Sequence, residues 1–169
     1  MVGSGCLLPI AVVLAVMYGM FKFHEREVRM GDVPADLEAS GILYVNEERW
    51  GAPFLALPGD NETGILMYSL PDLVADRIAR DGVDFFNRPE NSKRRVGMQQ
   101  SFSEWHETPM GTTLSQYLDQ YGFGIEVDPT VHALVDDAIS KSGSFYSYGR
   151  IGVVIVVPSA RRVIFAYAG

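Results

Sequence analysis

Residues 6–21, CLLPIAVVLAVMYGMF, form an uncharged apolar run that Lys22 closes. A helix that is apolar on every side needs an apolar surrounding all round. At about 1.5 Å per residue the run covers roughly 24 Å of a hydrocarbon core about 30 Å thick. Gly3 and Gly5 extend one end, and Lys22 can snorkel its ammonium to the headgroups at the other. The pattern predicts an N-terminal single transmembrane helix over 1–23, a signal-anchor that places residues 6–23 in the lipid bilayer. MVGSG carries no Lys or Arg, and no small-x-small site follows the run, which argues against a cleaved signal peptide. Cys6 precedes the run, the wrong order for a lipoprotein. Lys22, Arg26 and Arg29 all follow it, so the positive-inside rule puts the rest of the chain in the cytoplasm. A short anchor ahead of a globular domain commonly delivers that domain across the membrane, and the side stays open.

Residues 24–41 mix charge with Gly31, Pro34 and Gly41 and read as a juxtamembrane linker with at most a short helix. Short apolar or alternating runs at 42–45, 53–57 and 64–68, separated by turn-rich segments, predict a three-stranded meander. Pro71 and Asp72 open a helix that Gly82 stops, with Leu70, Leu73, Val74 and Ile78 on its inner face. Residues 87–95 read as an exposed loop, and 96–111 have no firm period. Thr112 can cap a helix to Tyr121, 123–127 reads as a short strand, and Asp128 with Pro129 opens a helix to about Lys141. In that last helix Val131, Leu134, Val135, Ala138 and Ile139 follow an i, i+3, i+4, i+7, i+8 spacing. Two β-branched and aromatic runs, 151–157 and 163–167, flank PSAR as a hairpin. The first is apolar almost throughout, which predicts a strand covered on both faces. The expected domain, 42–169, is α+β: one antiparallel or mixed sheet with helices packed on one face.

Charge narrows the function. Lys and Arg number 14 against 21 Asp and Glu, a net charge of −7, and a nucleic-acid binder needs the opposite sign. The imbalance is local: residues 96–140 hold no Lys or Arg, while Glu104, Glu107, Asp119, Glu126, Asp128, Asp136 and Asp137 all fall there. Net charge of this kind is first a solubility device; gathered on one surface, it steers a basic protein partner. The aromatic residues Phe145, Tyr146, Tyr148, Phe165 and Tyr167 on or beside the terminal hairpin belong to the sheet core or to such a surface. The lone Cys6 leaves the rest of the chain without a thiolate.

Catalytic chemistry has few candidates. His106 with Glu104 or Glu107 could supply a general base, but no second histidine follows at metalloprotease spacing, and Pro109 and Gly111 break any helix there. His132 and Asp136 lie one helical turn apart, a pair that binds metal only with further ligands. PGDNETG holds part of a calcium-loop pattern and fits a hairpin turn better. No phosphate-loop, dinucleotide or nucleophile-elbow motif occurs, so no metal or cofactor is expected. The sequence points to a membrane-anchored protein-binding module, of an accessory, inhibitor or immunity type, whose acids bind a basic protein. The alternatives are a membrane-tethered hydrolase using His106 with Glu104 or Glu107, and a structural subunit of a membrane complex.

Overall fold

The computed structural model describes residues 7–50, 61–87 and 102–169. The first helix, α1, is Leu7–Met30. The apolar run supplies its first part, and the charged positions from Lys22 onward continue it without a break. Its end is capped from the sheet: the Tyr68 hydroxyl donates to the Arg29 carbonyl at 2.8 Å, satisfying an acceptor that the helix itself leaves open. The single span expected over 1–23 begins outside the described residues. Among the described residues no helix is long and apolar enough to cross a membrane.

The stretch read as a linker carries core residues. A single 3-10 turn, Ala35–Leu37, follows α1, and Met30, Val33, Leu37 and Ala39 are all buried. Strands β1 (Ile42–Trp50) and β2 (Asn61–Ser69) pair antiparallel from Ile42 opposite Tyr68 to Trp50 opposite Asn61. The middle strand expected at 53–57 lies outside the described residues. Helix α2, Asp72–Asp81, runs between Pro71 and Gly82 as its sequence dictates. It buries Val74, Ala75 and Ile78, while Leu73, expected inside, is 79% exposed.

The segment without a clear period contains a two-residue strand, β3 (His106–Glu107), at one sheet edge. Helix α3 is short, Leu114–Leu118, and its cap is Thr113 rather than Thr112: the Thr113 hydroxyl accepts from the Gln116 amide while the Gln116 side chain accepts from the Thr113 amide. Residues 123–127 form no strand; they cross the surface as irregular chain into α4, Pro129–Ser140. The Asp128 carboxylate caps α4 by accepting from Thr130 at 2.9 Å and Val131 at 3.2 Å. Strands β4 (Phe145–Tyr148), β5 (Val153–Val157) and β6 (Arg162–Ala168) complete the fold, and a turn at Pro158–Ala160 closes the predicted hairpin.

The sheet is antiparallel throughout, in the order β1-β2-β6-β5-β4-β3. Side chains alternate between its faces. Leu66, Tyr68, Val154, Val156, Val163 and Phe165 meet the end of α1, α2 and Phe85 on one face. Ile65, Met67, Val153, Ile155, Ile164 and Ala166 meet Leu114 and Leu118 of α3 and Val135, Ala138 and Ile139 of α4 on the other. Helices on one face only was therefore the wrong architecture: both faces are apolar, and each has its own helical layer.

Candidate functional site

Three features stand apart from ordinary core packing. The first is the apolar half of α1. Val12, Val13, Leu14, Val16, Met17, Tyr18, Met20, Phe21 and Phe23 are each 55–68% exposed. They point in all directions around the helix, and the two cores close without them. Val16, Gly19, Met20, Phe23, His24 and Glu27, on one face, line a shallow groove in which Gly19 leaves the notch.

The second feature joins α1 to the sheet. Glu47 of β1, Gly64 of β2 and Tyr167 of β6 stand directly opposite one another across three strands. A Cβ on Gly64 would sit 2.5 Å from the Tyr167 ring; its absence lets Tyr167 lie over the middle strand and donate to Glu47 Oε1 at 2.9 Å. Arg29 holds the other Glu47 oxygen at 2.6 Å. Asp32, just past the helix end, shares this corner. Burial first, and then the Glu47 charge, push its carboxyl up to about 7, with Arg29 pulling the other way. Burial also raises the Tyr68 and Tyr167 hydroxyls, so both phenols stay protonated donors.

The third feature is the layer of α3 and α4. Helix α4 starts over β1, where Asn46 Nδ2 donates to the Glu126 carbonyl at 2.6 Å and the Asp128 amide to the Tyr44 hydroxyl at 3.1 Å. It ends near β3, where the Met110 amide donates to the Ile139 carbonyl at 2.9 Å. The predicted acids are strung along this crossing, and most of them already serve the fold. Besides the Asp128 cap, Asp119 accepts from Gly124 at 3.2 Å, Glu107 from Gly143 at 3.0 Å and Asp136 from Leu114 at 2.7 Å, and Asp137 pairs with Lys141. Glu104 and Glu126 are exposed, and their carboxylates have no partner among the described residues. Near the β3 edge His106, Tyr146, Tyr148 and Tyr117 follow one another with ring centroids 5.5–6.3 Å apart. Phe145 and Phe165 belong to the core of the opposite face.

His106 and Glu107 are adjacent in a strand and so address opposite sheet faces. His106 faces Tyr146, and the Glu107 carboxylate is engaged by Gly143. His132 and Asp136 do come together, with Nδ1 3.4 Å from Oδ2, and a residue that no motif marks joins them: Ser115 Oγ lies 2.7 Å from His132 Nε2. The i, i+4 spacing flags the first pair, but nothing in the sequence flags a serine seventeen positions earlier. Among the described residues no group of three or more His, Cys, Asp or Glu side chains is placed to hold a metal ion.

Comparison with known proteins adds no relative: no family model, no curated protein and no solved structure matches the chain.

Proposed function

We propose that this protein is a membrane-associated protein-binding domain. Its α1 enters the apolar region of a bilayer, and its α3–α4 layer receives a basic protein partner. The observation that carries the reading is the exposed apolar surface of α1. Burying one large apolar side chain is worth about 1.5–3 kcal/mol, so nine of them left in water far outweigh what an exposed helix gains by staying there. A helix satisfies its own backbone hydrogen bonds and can enter lipid without further cost on that account. Lys22 and Arg26, just past the apolar half, suit the headgroup region.

The acidic layer supports the second half of the reading. Acids run along α4 and its approaches, and tyrosines flank them near β3, a residue type enriched in interface cores. The domain recruits or restrains its partner at the membrane, as an accessory, inhibitor or immunity-type factor does, on whichever side the chain resides.

Flotation of the full-length chain with anionic phospholipid vesicles tests the membrane half. The chain is expected to rise with the vesicles, and a Val13→Asp, Met17→Asp variant of unchanged circular dichroism to remain at the bottom. A wild-type chain that stays down, or a variant that still floats, would overturn the attachment.

A further inference from the structure

The contact between α3 and α4 holds Ser115, His132 and Asp136 in line, an arrangement that neither membrane attachment nor a charged surface requires. Three local devices fix it. The capping box at Thr113 and Gln116 locks the turn that presents Ser115. The Asp128 cap sets the start of α4, so that His132 and Asp136, one turn apart, emerge on the same side. Asp136 Oδ1 is held at 2.7 Å by the amide of Leu114, the residue before Ser115. Its other oxygen is thereby turned to His132 Nδ1 at 3.4 Å.

A carboxylate facing Nδ1 favours the tautomer with its proton there and leaves the Nε2 lone pair free to accept. Ser115 Oγ is 2.7 Å from that nitrogen, within the range for proton transfer to a general base. The Ser115 side is open to solvent.

The geometry points to an acyl-transfer site at which Ser115 is the nucleophile and His132 the general base, with Asp136 as a positioning residue, acting on accessible carboxylic esters. Ser115 Oγ bonds to the ester carbonyl carbon as its proton passes to His132 Nε2. The tetrahedral adduct expels the alkoxide, which leaves as the alcohol with that proton. Water then attacks the acyl-serine, giving one proton to His132, which returns it to Ser115 Oγ as the carboxylic acid departs. The sum is ester plus water to acid plus alcohol, with no oxidant or metal consumed. This activity is independent of the membrane-binding reading.

A fluorophosphonate probe on the full-length chain, followed by peptide mass spectrometry, tests it. One adduct on Ser115 is expected, absent in Ser115→Ala and formed about 10²-fold more slowly in His132→Gln. Asp136→Asn separates positioning from tethering. Asparagine Oδ1 can still accept from Leu114, so the melting temperature should hold, while its amide now donates toward Nδ1, disfavours the productive tautomer and slows labelling. No adduct on Ser115, or an adduct whose rate ignores His132→Gln or Asp136→Asn, would overturn the proposal and leave the three residues as a tether between two helices.

Discussion

At the scale of single residues, the corner where α1 meets the sheet is governed by one missing side chain and one crowded charge. Gly64 makes room for Tyr167, Tyr167 and Arg29 divide the oxygens of Glu47, and Asp32 is left half-buried beside them. Its carboxyl moves from 3.8 up to about 7, so the folded chain holds this proton more firmly than the unfolded one. Stability from this group is therefore full at low pH and is lost as pH rises from about 4 to about 7. Asp36, also raised by burial, to about 6, adds to the same slope. Asp32→Asn should abolish most of this dependence and stabilise the protein at pH 8 by about 1–2 kcal/mol, allowing for the part of the group that water still screens. Urea unfolding at pH 5 and pH 8 measures it; an equal loss of stability in the variant at both would show that the carboxyl matters for packing alone. None of this was legible in the sequence. Asp32, Glu47 and Tyr167 come from three separate segments, and the register that aligns Glu47 with Gly64 and Tyr167 exists only once the strands pair.

At the scale of elements, what was legible follows from local chemistry. Asp128-Pro129 specifies the start of α4, and Pro71 with Gly82 specifies the bounds of α2. Asp128→Ala removes an acceptor for two orphan amides and should lower stability by about 1 kcal/mol. Equilibrium denaturation checks it, and Asp128→Ser or Asp128→Asn should recover most of the loss. Elements that depend on neighbours were not legible. β3 is two residues long and exists because β4 offers an edge; 123–127 has strand-like residues but no partner strand, so it stays irregular. The two helical layers could have been foreseen. Five consecutive buried residues in β5 require cover on both faces, and because the sheet continues to either side, that cover has to extend across it. Ser115 shows the opposite limit, since its relation to His132 arises from how α3 lies on α4 and leaves no periodic trace.

For the whole molecule, the exposed apolar part of α1 and the α3–α4 layer belong to different sides of the sheet. The apolar half of α1 projects from the domain, and its base docks on one sheet face through Met30, Arg29 and Tyr68. The opposite face carries α3 and α4 with Asp128 and Asp136. The structure also says which acids can be changed without disturbing the fold. Asp128, Asp136, Asp119 and Glu107 hold backbone amides, whereas Glu104, Glu126 and Asp137 do not. Reversing these last three to lysine should slow association with a basic partner by about tenfold or more at low salt, with the difference shrinking at high salt. Surface-plasmon kinetics at two ionic strengths, on a partner captured by the full-length chain, would measure it. An unchanged association rate would remove electrostatic steering from the proposed function.

Whether α1 attaches this domain to a bilayer is decided by hydrogen exchange of the full-length chain with and without phospholipid vesicles, read peptide by peptide. Exchange at 12–23 should slow only when vesicles are present, while β2, β5 and β6 keep the same protection in both. If 12–23 exchange at the same rate with and without vesicles, α1 does not meet lipid and membrane attachment is refuted.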